Sequence, residues 1–242
     1  MVLDLFTLAG TVSAVGASEA VHQQRVMNKE AKSDERKAPF YLDVFCDAQS
    51  RKRDEVHGAM VVLRDGKLCL WPKDPKTGLP KAGDDSAQSP HPFRGFYLPF
   101  PDEDLPHRPI PARPILGLVS TIPPDIPSSS STSSKSAPSK EKLNWIYADK
   151  ETRELKYGPR VRARDHVIGP WDWTEDDEQG LELDGEESLV VVEEEAGGKG
   201  WAVYWDRDDD RLKGVEIGQQ RVLRVSLERR LVEEGEEKIT VE

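Results

Sequence analysis

Three groups of residues carry side chains that could do chemistry. His166 stands beside Asp165 and follows Arg160, Arg162 and Arg164. A histidine with a carboxylate can serve as base and orienting group, and three arginines can hold a carboxylate or another anion. Read as a strand, the stretch points Asp165 and His166 to opposite faces and lines the arginines along one face. That face meets either an anion or the acidic C-terminal half of the chain. Asp206, Asp208 and Asp210 alternate like the opening of a calcium loop, yet Arg207 and Arg211 intrude, no glycine follows Asp210 and no glutamate closes the loop. An exposed hairpin turn is the competing reading for these three aspartates.

The third group is aromatic: Trp145, Tyr147, Tyr157, Trp171, Trp173 and Trp205. Such side chains either fill the core of a small barrel or line a cleft for a sugar or cation, and Trp173 and Trp205 adjoin the carboxylates Asp172 and Asp206. The sequence contains no glycine-rich phosphate loop, nucleophile elbow, HExxH or paired Cys/His motif, so no cofactor is expected.

Charge narrows the partners. The chain carries a formal charge of -11, which argues against nucleic acid as the main ligand. Residues 174–242 hold 22 acidic against 9 basic side chains, so the rest is slightly positive and a protein partner of the C-terminal half should be basic. No apolar run approaches the ~20 residues that cross a bilayer, so no membrane partner is expected. Residues 1–20 are apolar and small like a signal peptide core, but no Lys or Arg precedes Arg25 and Asp4 sits where positive charge belongs. The expectation is a cytoplasmic or nuclear protein. Cys46 and Cys69 fall in predicted strands and read as small buried apolar residues of a reducing compartment, a mutual disulfide being the alternative. The oligomeric state stays open.

The elements that must position these groups are mostly strands. Residues 40–46 alternate, and residues 59–71 form a hairpin in which Asp65-Gly66 supplies the positive φ of a tight turn. Further strands are expected at 94–100 and 115–122, in a hairpin over 145–157, at 181–183 and 188–192 around Asp184-Gly185, at 201–205, and at 221–227 with a helical turn after it. Residues 59–71, 143–158 and 201–214 share an apolar strand followed by a polar turn. His91-Pro92-Phe93-Arg94-Gly95-Phe96-Tyr97 can also be laid against His166-Val167-Ile168-Gly169-Pro170-Trp171-Asp172. Together these suggest a degenerate duplication of a hairpin plus an aromatic corner.

Between the strands, residues 73–90 read as a solvated loop, and the proline-rich run 101–114 as an extended wrap over the sheet or a recognition segment. The tract 123–142, containing PSSSSTSSKSAPSK, is too polar to order itself and reads as a disordered loop. The expected organisation is an N-terminal helix within 1–36, a first β half over 37–122, this loop, a second β half over 143–231 and an acidic tail over 232–242.

At LNWIYADKETRELKYG, HVIGPWDWTEDD and WAVYWDRDDDRL, and near the start at LAGTVSAVGASEAV, the chain resembles a family of uncharacterised fungal proteins of unknown function. The resemblance implies a fungal origin and no mechanism. The reading is therefore a mainly β chain, an antiparallel β-barrel or sandwich with an N-terminal helix packed on it. Its expected role is non-enzymatic binding or scaffolding through an aromatic and acidic surface of the second half. A small-ligand or glycan-binding barrel is the alternative, and a hydrolase using His166 with nearby carboxylates is a third reading.

Overall fold

A computed structural model describes residues 35–82, 90–101, 115–122, 142–194 and 200–233. The expected N-terminal helix, most of the proline-rich run, the Ser/Pro tract and most of the acidic tail lie outside the described residues. The chain divides into two units, residues 1–38 and 39–242, and the strands belong to the second.

This unit is mainly antiparallel β, as its alternating sequence requires. Its strands are β1 (Phe40–Phe45), β2 (Ala59–Arg64), β3 (Lys67–Pro72), β4 (His91–Pro92), β5 (Gly95–Pro99), β6 (Leu116–Ile122), β7 (Lys142–Ala148) and β8 (Leu155–Gly158). They continue as β9 (Trp171–Trp173), β10 (Leu181–Leu183), β11 (Leu189–Glu193), β12 (Trp201–Trp205), β13 (Val222–Arg224) and β14 (Ser226–Leu231). Two one-turn helices interrupt them, α1 (Arg53–Val56) and α2 (Arg160–Ala163). The pairing path β3-β8-β7-β6-β5-β1-β2 returns to β3, so the sheet closes on itself as a barrel.

The pairings repeat three times. Hairpins β2–β3, β7–β8 and β11–β12 each gain a further strand on their first ribbon: Val62 pairs Pro92, Ala148 pairs Val167, and Val191 pairs Leu223. The second ribbons of the hairpins meet one another pairwise, at Lys67↔Lys156, Ala202↔Cys69 and Glu154↔Tyr204. Two other antiparallel pairs, β5–β6 and β9–β10, carry the chain from one repeat to the next, and β14–β1 pairs the end of the third repeat with the start of the first. Thus Pro92 and Val167 are equivalent, as the two aromatic corners suggest, but the motif occurs three times. The strand at 201–205 is the return ribbon of the third hairpin, and β11 is its outgoing ribbon.

Apolar packing explains why these hairpins read as unbroken hydrophobic runs. In β2, Val61 and Leu63 face the main core while Met60 and Val62 face a second cluster with Tyr41, Val190 and Val192. In β7, Ile146 and Ala148 point into the main core while Trp145 and Tyr147 join Phe100, Val119, Ala163 and Ile168 in a third. Each ribbon is buried on both faces, so alternation gives way to a continuous run. Turn chemistry follows the sequence: Asp65 and Gly66 have φ of 51° and 81°, and Asp184 and Gly185 have 59° and 81°.

Three expectations change. Residues 160–163 are helical, because Pro159 fixes an extended entry and Ala163 is drawn under the Trp145 cluster. After Leu227 the chain continues as strand to Leu231, since all six residues of β14 pair with β1. In the 73–90 loop, Leu79 packs on the second cluster, Lys73 bridges Pro80, and the Gly78 carbonyl accepts from Arg230 at 2.7 Å.

Candidate functional site

Where the three hairpins meet, charged side chains from each of them interlock. Lys67 Nζ lies 2.6 Å from Glu154 Oε1 and 2.6 Å from Glu194 Oε1. Lys156 Nζ lies 2.8 Å from Glu154 Oε2 and 2.9 Å from Asp149 Oδ2. The Tyr204 hydroxyl donates to Glu154 Oε1 at 3.2 Å, and the Thr152 hydroxyl to Oε2 at 2.9 Å. Burial by itself would raise the Glu154 carboxyl, but hydrogen bonds from Lys156 and Lys67 outweigh it and hold the group at about 2. Asp149 is likewise held at about 2, with burial opposed by the Lys156 ammonium and the amides of Thr152 and Glu151. Lys67 is raised, its desolvation outweighed by Glu154 and Glu194. Both Glu154 oxygens are engaged, so this cluster is a clasp for the hairpins. It was not legible beforehand, because its members lie on three separate ribbons.

His166 sits beside this clasp. Its imidazole stacks on Tyr147 with centroids 4.8 Å apart and 14° between planes. Nδ1 accepts the Lys150 amide at 3.4 Å and lies 3.9 Å from Asp149. The carboxylate facing His166 is therefore Asp149, while Asp165 faces Arg164 at 3.8 Å. Arg160, Arg162 and Arg164 are exposed on and after α2 and share no strand face. Arg162 bonds the Tyr147 hydroxyl, whose pKa is raised chiefly by burial.

The aromatic residues divide. Trp145, Tyr147, Trp171 and Trp205 are buried; Trp145 packs edge-on against Phe100 at 4.7 Å and Trp205 Nε1 donates to Ser188 at 3.2 Å. These four rings fill cores, and Trp205 also lines a small pocket beneath Arg153 and Arg207. Tyr157 is half-buried, its hydroxyl accepting the Gly66 amide at 3.3 Å. Trp173 is half-buried on β9, with Arg229 over its ring at 4.3 Å and Tyr97 at 5.1 Å.

The three aspartates of the calcium reading stand in different surroundings. Asp206 is buried and its oxygens accept the amides of Asp210, Arg211 and Leu212 at 3.2, 3.0 and 3.1 Å, so it caps the loop from within. Asp210 accepts the Lys213 amide at 3.0 Å, and Asp208 is exposed. Among the described residues no group of three His, Cys, Asp or Glu could hold a metal ion. Cys46 and Cys69 are both free and buried, and burial pushes the Cys69 thiol up to about 12, with Glu194 adding to it.

The second half does present carboxylates together. The β9–β10 hairpin exposes Asp176, Asp177 and Glu178 at its turn, and Asp184 and Glu186 follow it. Glu182 on β10 is raised by burial and then by Asp172, Glu187, Glu186 and Asp176. Glu228 on β14 is raised by burial and then by Glu178, Asp43 and Glu187. Gly180 bridges Glu228 and Ser226 bonds Glu187, so the carboxylates of β9, β10, the 184–187 turn and β14 gather together, with Trp173 and the Arg229 above it among them.

Three hairpin repeats whose second ribbons meet in a triangle, joined by three inter-repeat strand pairs, define a β-trefoil, a fold that often serves as a binding scaffold and is compatible with non-enzymatic binding. The profile of the fungal beta-trefoil domain family matches residues 16–233, and the chain belongs to that family. No curated protein and no solved structure matches it. No helix among the described residues is long and apolar enough to cross a membrane.

Proposed function

We propose that this trefoil is a non-enzymatic intracellular binding or scaffold protein, and that the acidic face around β9, β10 and β14 receives a basic segment of a protein partner. One observation carries the reading: Glu182 and Glu228 are both raised, by burial and by neighbouring carboxylates. Like charges crowded in this way weaken the free protein and are relieved when a partner supplies positive charge. Trp173 adds a half-buried aromatic anchor beside them. Capture from native lysate tests the reading. The wild type should retain a basic partner in stoichiometric amount, and the Glu178→Lys/Glu186→Lys variant should lose it. A partner that binds both proteins equally contradicts the assignment.

A further inference from the structure

A small pocket lies between the β7–β8 turn and the loop that follows β12. It has a volume of about 140 Å³, and Lys150, Arg153, Arg207 and Lys213 stand on its wall. That is room for one compact group, well under the roughly 300 Å³ at which pockets begin to hold drug-sized ligands.

Two features set it apart. Among the described residues none of these four cations forms an ion pair, although Lys67, Lys73, Lys156 and Arg230 all do. Arg153 and Arg207 instead lie over the buried Trp205 ring, at 5.6 and 5.9 Å from its centroid. Arg153 is also half-buried, so its charge is partly desolvated without a carboxylate to answer it. The second feature is the backbone. Arg153 and Leu212, both on the pocket wall, have φ of 62° and 58°, and Asp209 and Arg211 of the same loop have 48° and 63°. Conformations of that kind are uncommon for arginine and leucine and persist where the surroundings impose them.

The wall also holds Glu151, Asp206, Asp208 and Asp210, a formal balance of four against four. The balance is uneven in effect. Asp206 turns its oxygens to three backbone amides, and Asp210 takes the Lys213 amide. Glu151 and Asp208 are exposed, as are Lys150, Arg207 and Lys213, while Arg153 is half-buried.

We infer that this pocket is an oxyanion subsite, in which Arg153 and Arg207, supported by Lys150 and Lys213, bind the phosphate, sulfate or carboxylate group of a small ligand. Planar guanidinium groups recognise such oxygens in pairs, and the indole beneath them limits their movement.

The test is a two-dimensional ¹⁵N–¹H titration with inorganic phosphate, sulfate and acetate, each against sodium chloride at matched ionic strength. Saturable displacement of the Trp205 indole N–H and of amides in 150–153 and 207–214 is expected. The order of affinity among the three anions identifies the group. Arg153→Asn/Arg207→Gln should weaken binding at least tenfold, asparagine being chosen because it tolerates positive φ. If that pair perturbs the fold, the exposed Lys150→Gln/Lys213→Gln variant should still weaken binding several-fold. Shifts that fail to saturate, that chloride reproduces, or that survive both variants overturn the inference.

Discussion

Glu154 is the residue on which the meeting of the hairpins turns. Glu154→Gln removes a charge facing two ammonium groups, and should destabilise the protein by about 2–3 kcal/mol, below the ~3–5 of a fully buried pair because Lys67 is partly exposed. Tyr204→Phe removes a single hydrogen bond and should cost about 1 kcal/mol. Urea denaturation measures both. The same groups set the acid limit. Glu154 and Asp149 are held at about 2, below their ordinary values of 4.5 and 3.8, so their contribution is present above those values and is lost as pH falls toward 2. Lys67 is raised, so its contribution is present below 10.5 and fades only as pH climbs past its folded value. Stability followed by chemical denaturation should therefore fall between pH 4.5 and 2. A denaturation midpoint that rose there would contradict the clasp. Little of this was visible in the sequence: Asp65-Gly66 announces its turn because backbone φ is a local property, whereas two of the partners of Glu154, Lys67 and Tyr204, lie 87 residues upstream and 50 downstream.

At the scale of elements, double burial makes the ribbons legible and also makes them intolerant. A Cβ on Gly117 of β6 would lie 2.5 Å from Trp145 Cζ3, so Gly117→Ala should cost about 1–3 kcal/mol by overpacking, read in a thermal melt. The acidic face predicts the opposite sign. Glu182 and Glu228 are raised above 4.5, so their ionisation weakens the fold at neutral pH and their protonation relieves it. Glu182→Gln/Glu228→Gln should raise Tm by about 1–3 °C at pH 7 and bring little change at pH 4, while weakening partner capture. Sequence pattern misplaced two elements for identifiable reasons. Alternating arginines at 160–164 mimic a strand, although Pro159 and the buried Ala163 make a helical turn. The aromatic run at 201–205 resembles an outgoing ribbon, although the less distinctive β11 plays that part.

For the whole molecule, antiparallel β and barrel closure follow from strand-like runs and turn signals, but the threefold repeat was only partly visible. Unequal inserts separate the copies, and only the hairpins keep a shared pattern; strands as short as β4 and β13 leave almost no signature. The charge asymmetry, by contrast, was legible from composition, because acidic residues crowd the last third of the sequence. In the folded chain part of that excess gathers on one face. Binding of a lysine-rich peptide, measured by calorimetry over a range of salt, tests this account most directly. Neutralising Asp176, Glu178, Glu182 and Glu186 should weaken binding at least tenfold and flatten its salt dependence, whereas neutralising Asp54, Asp165, Asp208 and Glu216 should change it less than threefold. Equal losses in the two variants would show that only net charge matters and would contradict a dedicated acidic face.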